Sequence, residues 1–385
     1  MKVLHLISSG GMYGAETMLL NLCKSLDKLK HKIRIVVFRN RHRPHLEIAV
    51  CLRNIGLAVT EIPCSGRLDL RAIRAVRKLI ESEQADVVHS HGYKADIYAC
   101  IASLFTSTRL ISTAHNWTGK SEVPQIYNKL DRVALRRFDR IVAVSSGVAE
   151  ILRNSGIPSN RVVQIANGID TEYSDRTEAG LAGAPKNGTL VSIGLVGRLV
   201  EEKGGDCFLR AAAALLPQFP RTRFLLIGEG PERSNLESLA RKLGISGHVI
   251  FTGHLNDMPN LYASLDICVL PSLKEGMPMS ILEAMGAGKP VVCTAVGEIP
   301  NVVNTGVEGI LIRPGSVAEL SNALAQLLGD TDLRDRMGKM GREKVHRHFS
   351  ADAMATSYVA MYNQVVRQNH ARMANQAPSE QHAEN

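Results

Sequence analysis

Aromatic residues are scarce in this sequence, at 4% of 385 residues. Its basic stretches carry no interleaved aromatics for base stacking, and no zinc-finger, RNP or KH signature occurs, which argues against a nucleic-acid partner. The seven cysteines include no Cys-x-x-Cys pair. Such an odd, scattered set argues against a disulfide framework or a zinc site and is typical of a cytoplasmic protein. Because no run of 18 apolar residues occurs, we expect no membrane span and a protein that is soluble or lies on a membrane surface.

Charge is distributed unevenly along the chain, whose formal net charge is +9. Residues 1–172 hold 25 Lys and Arg against 15 Asp and Glu, a net charge of +10, whereas 173–385 carry −1. The apolar content of 45% and charged content of 22% indicate a globular protein. The basic N-terminal half therefore predicts an acidic partner: an anionic membrane surface, a phosphate-bearing substrate or, ranked last, nucleic acid.

Short apolar, β-rich runs alternate with segments of helical periodicity, a pattern typical of parallel sheets covered by helices on both faces. The runs form two series, at 3–7, 33–38, 86–91, 109–115 and 140–145, and at 190–197, 224–230, 249–253, 267–272, 290–296 and 309–312. They predict an α/β protein with two doubly wound domains, 1–172 and 189–349. Residues 173–188, rich in Gly, Ala, Pro and polar side chains, are predicted to be the linker, and the polar tail 369–385 to be disordered.

Loops at the carboxyl ends of the predicted strands carry residues suited to phosphate, and ligands of doubly wound domains bind there. Gly10 and Gly11 follow the first strand, where glycine lets the backbone approach an anion at a helix N-terminus. A purely structural turn is an equal alternative. Arg198 and Lys203, on a loop that begins at Gly197, favour a diphosphate clamp. The alternative there is a solvated loop with glutamates as ion partners.

The segment 275–290 is the most informative part of the chain. Pro278 and Ser280 suit a helix start, so Glu275 is predicted in the preceding loop and Glu283 about one turn inside the helix. The helix N-terminus would receive a phosphate while the two carboxylates accept hydrogen bonds from sugar hydroxyls. This arrangement suits a sugar nucleotide, and an exposed helix carboxylate is the alternative for Glu283.

Five motifs, in this order, resemble those of the family 4 retaining glycosyltransferases of the GT-B fold. They are Gly10-Gly11, Asn167-Gly168-Ile169-Asp170, the loop with Gly197-Arg198 and Lys203-Gly204, Gly228-Glu229-Gly230-Pro231, and the Glu-x7-Glu element from Glu275 to Glu283. The resemblance runs from the first strand to about residue 350. It implies two Rossmann-like domains facing across a cleft, the N-terminal one binding the acceptor and the C-terminal one the nucleotide-sugar donor. A final helix, about 350–366, would pack back on the N-terminal domain.

The resemblance also implies roles for residues of the C-terminal domain. Arg198 and Lys203 would hold the donor diphosphate and neutralise the leaving group. Glu283 would bind the ribose hydroxyls. Glu275, with the backbone N–H groups of Gly276 and Met277, would position the donor sugar and its phosphate. The loop that faces the base would be Gly253-His254-Leu255.

Roles in the N-terminal domain follow from the same resemblance. The backbone N–H groups of Gly10 and Gly11 would close on the donor phosphate from the other domain. His115 matches the histidine that similar enzymes place beside the donor sugar. His89 and His91 are expected to be acceptor-side contacts at best.

The activity implied is transfer of a hexose or N-acetylhexosamine, with retention, to a glycan or lipid-linked acceptor in cell-surface polysaccharide or glycoconjugate biosynthesis. Uridine is favoured over guanosine as the base, and no metal or other cofactor is expected. The protein would be cytoplasmic and peripheral at the inner face of the membrane. Alternatives are a GT-B-fold sugar-nucleotide epimerase or hydrolase, a silent sugar- or membrane-binding scaffold and a nucleic-acid binder.

A second acceptor-side feature is the amphipathic segment 126–141. Its apolar stripe, which includes Leu130 and Val133, is predicted to pack on the sheet. The opposite, basic face, with Lys129 and Arg132, suits anionic lipid headgroups or a lipid-diphosphate acceptor. Ordinary solvated helix surface is an equal alternative.

Overall fold

The computed structural model describes residues 1–41, 44–65, 68–115, 125–174, 190–255 and 257–376. Within them the chain forms two compact units. Unit 1 comprises Met1–Val144, Val148–Ile165 and the chain from Met354 onward, and unit 2 comprises Ser145–Gly147 and Ala166–Ala353. The predicted linker falls almost wholly in 175–189, outside the described residues.

Thirteen strands are described, seven in unit 1 and six in unit 2. They are β1 Lys2–Ile7, β2 Lys32–Asn40, β3 Ala58–Cys64, β4 Val87–His91, β5 Arg109–Ala114, β6 Arg140–Ala143, β7 Val162–Gln164, β8 Val191–Val196, β9 Thr222–Ile227, β10 Val249–Gly253, β11 Ile267–Leu270, β12 Val291–Thr294 and β13 Gly309–Ile312. The sheet of unit 1 has the order β3-β2-β1-β4-β5-β6-β7, and that of unit 2 the order β10-β9-β8-β11-β12-β13. All neighbouring strands run parallel.

Helices connect these strands. They are α1 Gly14–Lys28, α2 Glu47–Asn54, α3 Leu70–Glu83, α4 Tyr93–Ala102, α5 Gln125–Leu135, α6 Ser146–Asn154, α7 Thr171–Ser174, α8 Gly205–Leu215, α9 Arg233–Lys242, α10 Met258–Ser264, α11 Met279–Gly286, α12 Ile299–Val302, α13 Val317–Gly329, α14 Thr331–His348 and α15 Ala351–Gln376. Two parallel sheets, each wound outward in both directions from its centre, form the predicted α/β architecture.

Side chains alternate across the strands and so divide each sheet into two buried faces. In β1, Leu4 and Leu6 pack into one core cluster while Ile7 packs into another with Leu19 and Cys23 of α1. His5 shares the second face by the same alternation. Burying each aliphatic side chain contributes about 1.5–3 kcal/mol. Both faces of the central strands are therefore covered, as their nearly continuous apolar sequences predict.

The boundary between the units lies earlier in the chain than the prediction of 1–172 for the N-terminal domain. Residues from Ala166 belong to unit 2 because the predicted Asn167–Asp170 motif pairs with the end of that unit. The Ile169 N–H donates to the Phe349 carbonyl at 2.9 Å, and the Ala351 N–H donates to the Ile169 carbonyl at 2.7 Å. Backbone pairing with a segment 180 residues away leaves no signal in local composition.

The last helix is longer than predicted. It extends from Ala351 to Gln376, so the disorder predicted from 369 is wrong for 369–376, while 377–385 lie outside the described residues. Apolar residues at 354, 358, 361, 362 and 365 are buried in its first four turns. Once these turns are docked, helix propagation adds one hydrogen bond per residue without a new nucleus, which carries the helix into polar sequence.

Candidate active site

Each sheet has a position where the strand order reverses, and several loops with predicted site residues lie there. In unit 2, β8 connects to β9 on one side and lies beside β11 on the other. The Arg198–Lys203 loop follows β8 and Glu275 follows β11. In unit 1, β1 lies between β2 and β4, and the Gly10-Gly11 loop follows β1. Crevices at such reversals are where doubly wound sheets bind ligands.

In unit 2, the two loops at the reversal are joined by an ion pair. Lys203 Nζ donates to Glu275 Oε1 at 2.5 Å, and Ser272 Oγ donates to the same oxygen at 2.7 Å. The side chains of Lys203 and Glu275 are 23% and 9% exposed. Arg198 is exposed on the same loop. The ion pair of Lys203 and Glu275 therefore lies at this edge of the sheet, on loops of which one also carries the exposed Arg198.

Backbone packing holds the loops of this pair together. Gly204 follows Lys203 with φ +69°, and a Cβ at that position would lie 2.2 Å from the Pro271 carbonyl oxygen. The Leu273 N–H donates to the Glu202 carbonyl at 2.8 Å. Only glycine combines this left-handed backbone with so close an approach. The loop after β8 is therefore held against the loop after β11, which brings Lys203 to Glu275.

The helix that follows Glu275 begins at Met279, one residue after Pro278 and close to the prediction. The loop before it is buried, with the Gly276 carbonyl accepting from the Glu298 N–H at 3.0 Å and the Met277 carbonyl accepting from Asn167 Nδ2 at 3.2 Å. The N-terminal end of α11, with the positive end of its dipole, therefore lies directly after Glu275.

Glu283 lies in the second turn of α11, half-buried. Its Oε2 accepts a hydrogen bond from the Tyr262 hydroxyl at 2.9 Å. Burial raises the pKa of the Glu283 carboxyl, and the hydrogen bond from Tyr262 opposes that rise. Tyr262, in α10, was not singled out in the sequence, since a tyrosine in a short helix carries no signal of its partner. This hydrogen bond leaves one carboxylate oxygen, Oε1, to accept from a ligand hydroxyl.

The predicted base-facing loop lies at the end of β10. The Gly253 carbonyl accepts from the Gly228 N–H at 2.9 Å, which joins this loop to the predicted Gly-Glu-Gly-Pro turn after β9. His254 is exposed and Leu255 half-buried. Because β10 is two strands from β8, this loop lies about 10 Å along the sheet edge from the Lys203 loop.

In unit 1, the N–H groups of the glycine loop are bonded inside the loop, which differs from the expectation that they face a ligand. The Gly10 N–H donates to Glu16 Oε1 at 3.3 Å and the Gly11 N–H donates to Ser9 Oγ at 3.2 Å. Glu16 is buried in the first turn of α1 and also accepts from the Tyr13 N–H at 3.2 Å. A carboxylate at the helix start thus occupies the position expected for an anion, and a phosphate must displace these bonds.

The predicted His115 belongs to a cluster of histidines in unit 1. It is half-buried just past β5, and burial lowers its pKa to about 4. His91 contacts it, with His91 Nδ1 3.2 Å from His115 Nε2. His89 and His91 are buried, not acceptor-side surface contacts, because they lie on the inner side of the sheet face that α15 covers. Tyr362 of α15 bonds His89 Nδ1 at 2.6 Å.

The histidine cluster also includes His5, which the sequence analysis did not single out. The β1–β4 register pairs His5 with His89, and alternation then places His91 on the same face. Burial lowers the pKa values of His89 and His91 well below the usual range. Within the described part of the chain, His5, His89 and His91 are the one group of three side chains close enough together to share a metal ion. Both His89 nitrogens are bonded instead to the hydroxyls of Tyr362 and Thr113, so we do not assign these residues as metal ligands.

The chain contains one Asp-x-Asp triplet, Asp330-Thr331-Asp332, with the spacing of the metal-binding element of metal-dependent glycosyltransferases. Asp330 is the N-cap residue of α14, and its side chain accepts from the Leu333 N–H at 2.8 Å. Asp330 therefore has a capping role at the junction of α13 and α14.

The apolar stripe of the segment 126–141 is only partly buried. Phe138 and Ile141 belong to the core, as predicted, but Leu130 and Val133 of α5 are 50% and 62% exposed. They lie beside the exposed Lys129. The prediction that the stripe packs on the sheet is therefore wrong for these two residues, because α5 directs that part of its stripe outward. None of the helices that the structure describes is both long and apolar enough to cross a bilayer.

Two family models match the chain, one over each unit. Residues 12–173 match the model described as glycosyltransferase family 4, and residues 182–344 match the model described as glycosyl transferases group 1.

Among curated proteins, a lipopolysaccharide core biosynthesis mannosyltransferase, LpsB of Rhizobium meliloti (strain 1021), is 30% identical over 248 residues, which are 60% of this chain and 68% of that protein. The UDP-Gal:alpha-D-GlcNAc-diphosphoundecaprenol alpha-1,3-galactosyltransferase of Escherichia coli is 26% identical over 297 residues, covering 73% and 76%. Among solved structures, Anabaena HepE in complex with UDP-glucose superposes with a TM-score of 0.79 at 21% identity, covering 96% of this chain and 100% of that one.

Proposed function

The chain belongs to the group 1 glycosyltransferases of the GT-B type, and from that premise we propose that it transfers a hexose or N-acetylhexosamine from a nucleoside diphosphate sugar, with retention of configuration. The acceptor is a glycan or a lipid-linked saccharide in surface polysaccharide or glycoconjugate biosynthesis. Relatives with this role, such as LpsB, support the assignment to polysaccharide biosynthesis.

The observation that carries the proposal is the Lys203–Glu275 pair at the strand reversal of unit 2. When a donor binds, Lys203 and Arg198 hold the diphosphate and neutralise the charge that develops on it as the glycosidic bond breaks. Glu275 then exchanges its bond to Lys203 for the donor sugar, beside the N–H groups of Gly276 and Met277 at the start of α11. Glu283 accepts from the ribose hydroxyls.

The mechanism proposed needs no protein nucleophile. The bond between the anomeric carbon and the diphosphate oxygen breaks while the acceptor oxygen attacks the same face of the sugar. The acceptor proton moves to the departing phosphate oxygen, which balances the step and leaves the configuration retained. Two cations and a helix N-terminus supply the positive charge, so the proposal includes no metal ion or other cofactor.

Uridine is the proposed base of the donor. The names of two of the similar proteins support this choice, one transferring galactose from UDP-Gal and one solved with UDP-glucose. The loop Gly253-His254-Leu255 is proposed to face the base, and the loop with Gly10 and Gly11 to close on the phosphate after Glu16 releases the Gly10 N–H.

A membrane-peripheral position at the cytoplasmic face is proposed from α5. Leu130 and Val133 are exposed beside Lys129 and Arg132, in the half of the chain that carries a net charge of +10. Apolar and basic side chains on one helix surface suit anionic lipid headgroups. The diphosphoundecaprenol acceptor in the name of the Escherichia coli relative supports a lipid-linked acceptor.

The test is the shift in melting temperature with UDP, GDP, ADP and TDP and their sugars, in EDTA, for the wild type, Lys203→Ala, Glu275→Ala and the control Lys242→Ala. Lys242 is exposed at the end of α9. We expect UDP to raise the melting temperature in the wild type and the control but not in Lys203→Ala. No shift with any nucleotide would contradict the donor site, and donor consumption that yields only free sugar would indicate a hydrolase.

A further inference from the structure

Three histidines of unit 1 form an unbroken chain of ring contacts from the interior of the sheet to its carboxyl edge. His5 Nδ1 lies 3.1 Å from His91 Nε2, and His91 Nδ1 lies 3.2 Å from His115 Nε2. We propose that His91 and His5 are positioning residues that fix the orientation and the tautomer of His115, so that His115 carries its proton on Nδ1 and offers that N–H to the ligand. The role of His115 beside the donor sugar is the one that the family resemblance implies, and it rests on the proposed function.

The rings are uncharged, which limits how their protons can be arranged. Burial lowers the pKa of His5 to about 3 and that of His115 to about 4, and the pKa of His91 lies well below its usual range. At neutral pH each ring therefore has one N–H. Each nitrogen-to-nitrogen contact contains one hydrogen, so the three rings must all donate in the same direction along the chain.

The inner end of the chain decides that direction. His5 Nε2 is buried and makes no hydrogen bond to any part of the chain that the structure describes. A buried N–H without an acceptor is rarer in proteins than an unsatisfied acceptor, so this nitrogen is the unprotonated one. The His5 Nδ1–H then donates to His91, and the His91 Nδ1–H donates to His115 Nε2.

The outer end of the chain is then determined. His115 Nε2 accepts from His91, so its single proton lies on Nδ1. Free imidazole side chains favour the Nε2–H form, so the contact with His91 imposes the less common tautomer on His115. A hydroxyl or phosphate oxygen of a ligand is the matching acceptor for such an N–H.

His89 lies against this chain without belonging to it. Its ring centroid is 4.3 Å from that of His91, but Nδ1 contacts the Tyr362 hydroxyl at 2.6 Å and Nε2 contacts the Thr113 hydroxyl at 2.8 Å. A change at His89 therefore disturbs the packing of the same cluster and leaves the His5–His91–His115 contacts in place. This makes His89→Gln a matched control.

The direct test is the tautomer of each histidine, read from long-range ¹H–¹⁵N correlation spectra of protein labelled with ¹⁵N-histidine. We expect His115 to be protonated on Nδ1 in the wild type and in His89→Gln, and to change to the Nε2–H form in His91→Leu. His91→Asn places an amide N–H near the position of Nδ1 and is expected to keep the wild-type pattern. Protonation of His115 on Nε2 in the wild type, or no change in His91→Leu, would overturn the proposal.

Activity separates this inference from the proposed function. We expect kcat to fall about 10- to 100-fold in His91→Leu, in line with other partners that orient a functional histidine, and to recover in His91→Asn. If His91→Leu does not fold, His5→Phe interrupts the chain at its inner end and serves instead. If the wild type transfers sugar but its His115 is protonated on Nε2, only this inference is overturned. If the tautomers are as expected but no nucleotide shifts the melting temperature, only the proposed donor site is contradicted.

Discussion

At the scale of single residues, charge and hydrogen bonding decide what each site residue can do. Lys203 and Glu275 were assigned separately, to the diphosphate and to the sugar, yet they form one ion pair. Glu16 was not assigned at all, although its carboxylate accepts from the Gly10 N–H. A glutamate two residues into a helix is too common for its partners to be predicted from sequence.

The variant Lys203→Ala tests whether Arg198 and Lys203 form the proposed diphosphate clamp. Removing one preorganised positive group costs about 10²–10³-fold in kcat when that group stabilises the charge of the transition state. We expect a fall of that size, with a smaller change in KM for the acceptor, in steady-state assays of UDP release. Lys242→Ala should keep the wild-type rate, and an equal loss in both variants would contradict a specific role for Lys203.

Tyr262→Phe tests the environment of Glu283. Burial raises the folded-state pKa of Glu283 above its unfolded value, so its contribution to stability is lost as pH rises through the folded pKa. Losing the Tyr262 hydrogen bond raises that pKa further. We therefore expect Tyr262→Phe to cost about 1–3 kcal/mol at pH 7.5 and less at pH 4.5, measured by urea unfolding. An equal cost at both pH values would contradict ionisation of Glu283 as the cause.

At the scale of elements, the sequence predicted every strand of unit 2, including its edge strands β10 and β13, and missed only the two edges of unit 1. The two unpredicted strands, β3 and β7, are the two edge strands of unit 1. The sequence of β3, AVTEIPC, places Thr, Glu and Pro in the strand, and β7 has three residues. An edge strand is half solvated and pairs on one side only, so its sequence needs neither a continuous apolar run nor a full set of N–H donors.

Gly204→Ala and Gly244→Ala form a matched pair for the loop after β8. Both glycines have left-handed backbone, with φ +69° and +72°, but a Cβ at 204 would lie 2.2 Å from the Pro271 carbonyl oxygen while one at 244 meets nothing within 4 Å. We expect about 1 kcal/mol of destabilisation for Gly244→Ala and several times that for Gly204→Ala. Chemical denaturation measures both, and equal costs would contradict the close loop packing.

At the scale of the whole molecule, the buried histidines make stability depend on pH. Their folded-state pKa values, about 3 for His5 and about 4 for His115, lie below the unfolded value near 6.5. The unfolded chain therefore binds more protons, and stability falls as pH drops from about 6.5 toward 4. Each histidine contributes up to about 1.4 kcal/mol per pH unit. Asp96, whose pKa burial raises to about 6, acts in the opposite direction.

Hydrogen exchange of the β1 and β4 amides measures this dependence in unit 1. We expect the free energy of opening to decrease as pH is lowered from about 6.5 toward 4 in the wild type. The decrease should be less steep in His5→Phe. The same slope in both proteins would show that protonation of the cluster does not limit unfolding of these strands.

Vesicle binding tests the surface of α5. We expect the wild type to float with vesicles that contain phosphatidylglycerol, less so as salt rises to about 0.5 M, and a Leu130→Gln/Val133→Gln variant to bind more weakly. Val50→Gln is the control, since Val50 is 52% exposed on α2. If Val50→Gln weakens vesicle binding as much as the double variant does, the binding depends on general surface hydrophobicity and not on α5. Equally strong binding to vesicles made only of neutral phosphatidylcholine would contradict the electrostatic contribution.

The sequence by itself determined the fold class, the two sheets and the positions of the loops that carry the proposed site residues, because apolar periodicity and glycine placement are local properties that one strand or one turn expresses alone. Only the tertiary structure decided which side chains meet: Lys203 with Glu275, Tyr262 with Glu283, and His5 with His91 and His115. These pairs join strands and helices that are 21 to 86 residues apart along the chain. Their contacts depend on the strand order and the register of each sheet, to which every strand contributes and which no single segment encodes.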